Sequence, residues 1–154
     1  MMSLTLGLMA GAGQREEIKF SDKQLGNFIK RKVCTVSDDV LRISGDAADK
    51  NNRWRAVVFS LPFKSPAGQK FTFGGEVKGE QLKGKFEIAI RMIKADGKSI
   101  KYESFTVTKD QDWKTFSETF TASPDTSRME YYILARDMGD ESIGSVRKLY
   151  IEQL

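Results

Sequence analysis

The sequence predicts an all-β protein, an antiparallel β-sandwich or jelly roll. Apolar and polar residues alternate at every second position in short segments, which is typical of half-buried strands. Turn-forming residues separate these segments, as in "FKSPAGQ" and "ASPDTS". No helical period of 3.6 residues is sustained for more than one or two turns, so the pattern favours a two-layer β fold over a mixed one.

The alternation predicts ten strands in one domain. A chain of 154 residues is long enough for one domain with a substantial core. The predicted strands are Glu17–Phe20, Phe28–Val36, Val40–Ser44, Trp54–Leu61, Lys70–Lys78, Lys85–Lys94, Ile100–Thr108, Lys114–Thr121, Met129–Arg136 and Val146–Gln153. The pair Asp96-Gly97 in "KADGKS" predicts a two-residue hairpin with both central residues at positive φ.

Residues 1–14 differ from the domain predicted for residues 15–154. The segment "MMSLTLGLMAGAGQ" is a short apolar run that ends in small residues, and Ala10-Gly11-Ala12 matches an A-x-A cleavage pattern. It is interpreted as a signal-peptide remnant or a leader, although an ordinary first strand would also fit. The remnant predicts a secreted or cell-surface protein.

Composition argues against catalysis and against nucleic acid. The chain has no histidine, which removes the commonest general base and the commonest metal ligand. Its single cysteine, Cys34, forms no internal disulfide and is expected to be a small buried residue. The net charge of +4 is spread among acidic residues in stretches such as "KGEQLKGKFE", so no basic stripe for nucleic acid is present.

Strand alternation also separates an inward set of side chains from an outward set. The predicted inward residues are Val57, Phe59, Leu61, Phe86, Ile88, Ile90, Met92, Phe105, Val107, Met129, Tyr131 and Ile133. The outward set holds three flat rings with charged neighbours, namely Trp54, Tyr102, Tyr132, Arg91, Arg136 and Glu87. Such rings stack on the apolar faces of sugars while the charged groups bind hydroxyls. The alternative is that the rings are cross-strand pairs that only stabilise the sheet.

Three stretches resemble the carbohydrate-binding modules of families 4, 9 and 22. "PAGQKFTFGGEVKG" resembles their "G-x-x-Y-x-F-S-x-x-V-K" strand, "DWKTFSETFTASPDTSRMEYYILA" resembles "W-x-x-F/V-S-x-x-F-x-x-P…L-x-L-Y", and "LYIEQL" resembles their last strand. The match covers residues 40 to 154 in order. It implies a non-catalytic jelly-roll module with a galactose-binding-domain-like fold, which binds a polysaccharide on its concave sheet and is tethered to a glycoside hydrolase or another extracellular domain. By position, the family's cleft residues correspond to Trp54, Tyr102, Tyr132 and Arg136.

The resemblance also implies a structural calcium ion, which this sequence argues against. Where the family has an Asp-Asp pair before the last strand, this chain has Arg147-Lys148, and a hard cation needs oxygen ligands. The family's first-strand glutamate corresponds to Ile29 in "GNFIK". Asp137, Asp140 and Glu141 still offer oxygen atoms, so the metal content stays open, and no cofactor is expected.

Two other functions remain open at this stage. In a structural or adhesion domain, the outward rings would form a protein interface. In a lyase-like enzyme, Arg91, Tyr102 and Arg136 would act on a polysaccharide with the tyrosine as base. Hydrolysis by Glu87 and Glu103 is disfavoured because Glu87 belongs to the outward set of its strand and Glu103 to the inward set of the next strand, so the two carboxylates lie on different faces.

Overall fold

The computed structural model describes residues 13–21, 34–45 and 54–154, with the side chains of residues 54 and 55 excepted. Every regular element in these ranges is a β-strand, and the strands form two antiparallel sheets, as the sequence predicts. The strands are β1 Arg15–Glu17, β2 Cys34–Ser37, β3 Val40–Ser44, β4 Trp54–Ser60, β5 Lys70–Glu80, β6 Lys85–Ile93, β7 Ser99–Val107, β8 Gln111–Thr121, β9 Arg128–Arg136 and β10 Ile143–Gln153.

The larger sheet, called sheet A, has the order β2-β3-β10-β5-β8, and β1 pairs with the second half of β10. The smaller sheet, called sheet B, has the order β4-β9-β6-β7. Chain neighbours such as β9 and β10 lie in different sheets, so the chain crosses repeatedly between layers, as in a jelly roll. This topology brings β4, β6, β7 and β9 side by side although they come from distant parts of the sequence.

The core lies between the two sheets and contains the inward set that the alternation predicts. Sheet B contributes Phe86, Ile88, Ile90, Met92, Met129, Tyr131, Ile133, Val57 and Phe59, all buried. Sheet A contributes Phe71, Phe73, Val77, Leu41, Ile43, Val146, Leu149 and Ile151. Each such large side chain stabilises the fold by about 1.5–3 kcal/mol through removal of apolar surface from water. At the open side of the sandwich, Phe105 stacks on Phe116 with ring centroids 4.7 Å apart.

Tyr131 connects the two sheets at the centre of the core. Its ring packs edge-on against Phe73 of the opposite sheet, with centroids 6.2 Å apart. Its hydroxyl donates a hydrogen bond of 2.7 Å to the backbone carbonyl of Tyr150. Burial raises the pKa of Tyr131 well above its usual value, because a phenolate would be desolvated there. The ring therefore stays neutral and serves as a donor.

The hairpin between β6 and β7 differs from the prediction of two central residues at positive φ. Only Gly97 has positive φ, at 86°, and the loop closes through hydrogen bonds from Lys94 N to Lys98 O and from Gly97 N to Lys94 O. This is a three-residue loop in which one glycine takes the left-handed position. The Asp96 carboxylate accepts a hydrogen bond from Lys98 N at 3.0 Å and so supports this longer turn.

Of the two predicted strands nearest the N-terminus, one lies at different residues and the other is only partly described. The strand predicted at Glu17–Phe20 lies earlier, at Arg15–Glu17, because the ladder with β10 ends where Ile18 N bonds to Leu149 O beside a bulge. Residues 28–33 of the strand predicted at Phe28–Val36 lie outside the described residues, as do residues 1–12 of the predicted leader. Gly13 N and Gln14 O form backbone hydrogen bonds with Gln153.

Replacing Tyr131 with Phe removes the hydroxyl but preserves the ring that packs on Phe73. We expect the free energy of unfolding to fall by about 1–3 kcal/mol, because the Tyr150 carbonyl loses its donor inside the protein. Urea denaturation followed by fluorescence measures this change. The control is Tyr102→Phe, which alters an exposed hydroxyl and should leave the midpoint unchanged; equal midpoints for the two variants would contradict the role given to Tyr131.

Candidate functional site

The outer face of sheet B carries a shallow groove of about 280 Å³ that crosses its strands. The groove is lined by Glu87, Tyr102, Tyr132, Leu134 and Arg136, and these five residues define it below. They come from β6, β7 and β9, which the sheet order makes neighbours. Four of the six residues predicted from strand alternation thus lie together in one depression.

The register arranges the side chains of this face in rows. Tyr132 is opposite Val58 on one side and Ala89 on the other, and Ala89 is opposite Ser104. Leu134 is opposite Ala56 and Glu87 in the neighbouring row. The lining residues therefore occupy successive rows, from the row of Tyr102 to the row of Arg136, and the groove extends over several rows of the sheet.

Small and apolar side chains form the floor of the groove. Ala89 is only 1% exposed and Leu134 only 7%, although both belong to the outward set. Because the side chain of Ala89 is small, Tyr102 and Tyr132 can meet above it, with ring centroids 5.6 Å apart and ring planes at 70°. Tyr102 remains 45% exposed, so one tyrosine offers its surface to solvent while the other is partly covered. The result is an apolar surface with two phenolic hydroxyls.

Arg91 lies beside the groove and is held by sheet residues. Its guanidinium group forms an ion pair of 3.7 Å with Glu130, whose side chain is only 12% exposed. Its Nε donates to Ser99 Oγ at 2.8 Å, and its Cζ atom lies 5.7 Å from the centroid of the Tyr132 ring. Arg91 therefore supports Tyr132 from the side, and it shares the Glu130 carboxylate with Arg128.

Glu87 is the acidic residue of the groove. It is partly exposed, and within the described part of the chain no hydrogen bond or ion pair involves its carboxylate. Glu130 differs, since it binds both Arg91 and Arg128. A carboxylate without a protein partner in a solvent-accessible groove can accept hydrogen bonds from a ligand.

Trp54 is the sixth residue of the predicted set, and its side chain lies outside the described part of the structure. Its backbone belongs to β4, where its Cα partner is Arg136. The strand pairing therefore places the backbone of Trp54 beside Arg136, which lines the groove. The role of the Trp54 ring stays a prediction.

The other large rings lie on the outer face of sheet A and are covered by arginine. The Arg147 guanidinium group lies 4.1 Å from the Trp113 ring centroid, and that of Arg15 lies 3.9 Å from the Tyr150 ring centroid. Tyr150 also lies against Gly74, where an added Cβ would come within 2.8 Å of the tyrosine ring. Trp113 and Tyr150 therefore both pack against arginine side chains on this face.

Metal ligands are not clustered in the described ranges. No group of three or more His, Cys, Asp or Glu side chains in residues 13–21, 34–45 and 54–154 converges as an ion site. No helix in these ranges is both long and apolar enough to span a bilayer.

Sequence reasoning missed the floor of the groove. Alternation places Ala89 and Leu134 on the outward face, but it does not predict that a small residue lies between two rings. The ion pair of Arg91 with Glu130 was also missed, because it joins two strands that are paired only in the folded sheet. A small residue next to aromatic residues on the outward face is the sequence signal that would have indicated Ala89.

The environment of Tyr132 affects the pKa of its hydroxyl. Partial burial and the neighbouring Tyr102 raise the pKa of Tyr132 above 10, whereas the Arg91 charge lowers it. We expect Arg91→Met to raise the Tyr132 pKa further, because the phenolate loses its nearby cation. Phenolate absorbance, compared between each protein and its Tyr132→Phe counterpart, isolates this group. A lower Tyr132 pKa in Arg91→Met would contradict the arrangement.

Comparisons with known proteins give a fold and no family assignment. No family model matches the sequence, and no curated protein matches it. A solved carbohydrate-binding module of family 4 superposes with a TM-score of 0.56 at 13% identity, over 79% of this chain and 75% of that one. The xylan-binding CBM22-1 domain from Paenibacillus barcinonensis superposes with a TM-score of 0.55 at 14% identity, over 94% and 97%.

A third structure is the enzymatically active domain of tailspike protein 4 of bacteriophage CBA120. Its TM-score is 0.61 at 10% identity, and the match covers 92% of this chain but only 19% of the tailspike. This chain therefore spans about a fifth of that protein. At such identities the likeness concerns the fold, and the fold of this chain is that of carbohydrate-binding modules.

Proposed function

We propose that this domain is a non-catalytic module that binds a polysaccharide chain in the groove on the outer face of sheet B. The observation that carries the proposal is the pair of tyrosine rings above Ala89, of which Tyr102 is exposed and Tyr132 partly covered, next to Glu87 and Arg136. A pyranose ring presents apolar C–H groups to an aromatic face and hydroxyls at its edge. The groove offers a matching apolar surface with polar groups at its sides.

Exposed positions beside the groove support binding within a long chain. The rows of sheet B continue to Val58, which is 44% exposed on β4, and to the exposed Ser104 on β7. A chain that crosses all four strands would meet no obstructing side chain at these two positions. Affinity from such a shallow site is expected in the micromolar to millimolar range, about −4 to −8 kcal/mol.

The carboxylate of Glu87 supports a neutral glycan. The groove is lined by one acidic and one basic residue, Glu87 and Arg136, and the neighbouring Glu130 binds both Arg91 and Arg128. An acidic sugar placed near Glu87 would be repelled by its carboxylate, whereas a hydroxyl would donate a hydrogen bond to it. Export to the cell exterior and tethering to a hydrolase or another domain belong to the same proposal, because a module of this kind acts on extracellular polysaccharides.

Replacing Tyr102 or Tyr132 with Ala removes one ring of the groove. We expect each change to weaken glycan binding by about tenfold or more, which corresponds to about 1.4 kcal/mol of lost contact. Affinity electrophoresis through gels containing soluble xylan or glucan measures the change, and thermal unfolding verifies the fold. The matched control is Trp113→Ala, which removes a ring from the opposite sheet and should leave binding intact. Unchanged retardation of both tyrosine variants would refute the groove as the site.

The role of Glu87 predicts a preference among glycans. In the same gels the parent protein should be retarded by neutral polysaccharides and should migrate freely through polygalacturonate. Glu87→Gln preserves the shape but weakens hydrogen bonding to hydroxyls, so neutral glycans should bind about threefold to tenfold more weakly. Stronger binding to the acidic polymer than to the neutral ones would contradict the charge argument. The release of new reducing or unsaturated sugar ends during incubation would instead indicate an enzyme.

A further inference from the structure

A bulge in β10 brings two cations to one carboxylate on sheet A. The pairing of β10 with β5 shifts between Arg147 and Tyr150, and Lys148 has a φ of 53°. This left-handed conformation is unfavourable for a residue with a side chain, so surrounding contacts must stabilise it. Consecutive residues of a regular strand point to opposite faces. Here Arg147 and Lys148 both reach Glu76, because the bulge interrupts the alternation.

The contacts tie together three neighbouring strands. The Arg147 Nε donates to Glu76 Oε2 at 2.5 Å, and Lys148 Nζ donates to Glu76 Oε1 at 2.8 Å. Each carboxylate oxygen of Glu76 on β5 is thus bound by a different cation of β10. The Arg147 guanidinium group also covers the Trp113 ring of β8. We call Glu76, Arg147, Lys148 and Trp113 the cation clip.

The surroundings of the clip do not fit a calcium ion, although the resemblance to the carbohydrate-binding modules implies one here. Calcium takes six to eight oxygen ligands, several of them carboxylates. Both oxygens of Glu76 are occupied by protein cations.

The carboxylates of the adjoining hollow, which has a volume of about 620 Å³, are also engaged. Glu17 pairs with Arg15 at 3.8 Å, and Asp39 pairs with Lys19 at 3.6 Å. Asp38 accepts a hydrogen bond from Ser37 Oγ at 3.4 Å. Arg147 and Lys148 also line this hollow and are bound to Glu76, so its charged groups are engaged with one another. A divalent cation would have to displace these protein contacts to reach a carboxylate.

We infer that the cation clip takes the place of a structural metal ion, so that the chain's own Arg147 and Lys148 fix the bulge of β10 and the fold is independent of calcium. The clip also accounts for the positive φ of Lys148, since that conformation directs the second cation to Glu76. The inference is independent of glycan binding, because the clip lies on sheet A and the groove on sheet B.

The first test uses thermal unfolding of the parent protein in EDTA and in excess calcium chloride. The expected melting temperatures are equal. A calcium ion bound at one hundred times its dissociation constant would raise Tm by roughly 5–10 °C in a domain of this size. A rise of that order on addition of calcium, reversed by EDTA, would overturn the inference.

The second test replaces Glu76 with Gln, which preserves the shape and removes the charge. We expect Tm at neutral pH to fall by about 3–6 °C, as for the loss of one or two charge-assisted hydrogen bonds. The matched control is Glu118→Gln, which alters an exposed carboxylate on the neighbouring β8 and should change Tm by less than about 1 °C. Equal Tm values for Glu76→Gln, Glu118→Gln and the parent would show that the clip does not stabilise the bulge.

A pH series makes the second test specific for charge. The hydrogen bonds from Lys148 and then Arg147 lower the pKa of Glu76 below 4.5. Its stabilising effect is therefore present above the pKa of the unfolded chain and is lost as the pH falls through the lowered value. The groups that face it are Arg147 and Lys148 from β10 and the uncharged Thr115 and Trp113 from β8. On β5 itself, Lys78 pairs with Glu80. The Tm difference between parent and Glu76→Gln should shrink as the pH is lowered and should close once Glu76 is protonated in the folded parent. A difference that stays constant from neutral to acidic pH would overturn the role of charge.

Discussion

The alternation of β9 across the two faces of sheet B is the constraint on which the rest of this structure depends. Tyr131 is fixed in the core by Phe73 of the opposite sheet and by its hydrogen bond to the Tyr150 carbonyl. Because adjacent residues of a strand point to opposite faces, fixing Tyr131 inward directs Tyr132 outward. A slip of one residue would exchange the two rings and would remove both the core contact and the groove. Core stability and site geometry are therefore set by the same register.

The two outer faces use aromatic and charged side chains in different ways. On sheet A the rings of Trp113 and Tyr150 are covered by arginines, and Glu76 is bound by two cations. The rings and charges of these residues are therefore engaged in contacts within the protein. On sheet B the floor of Ala89 and Leu134 leaves Tyr102 exposed, and Glu87 has no partner within the described ranges. The sequence places similar residue types on both faces, and only their contacts separate a supporting surface from a candidate binding surface.

Much of the fold could be predicted because strand alternation is a local property. Strands β3, β4, β6 and β9 lie within one residue of their predicted bounds, and the inward residues of sheet B are buried as expected. Errors occurred where the outcome depends on a partner strand. The Asp96-Gly97 turn adopts a longer loop because the pairing of β6 with β7 shifts between Met92 and Ile93. The first strand follows the register of β10, which its own residues do not specify.

The sequence by itself determined the all-β class, the positions of most strands and the side of each strand that carries its rings and charges. These follow from the two-residue period of the backbone and from local turn chemistry. The tertiary structure decided which strands became neighbours. That choice placed Ala89 beneath the tyrosine pair, Glu130 against Arg91, and Glu76 between Arg147 and Lys148. Such contacts join residues distant in sequence, and strand pairing is fixed by packing of the whole core rather than by any one segment.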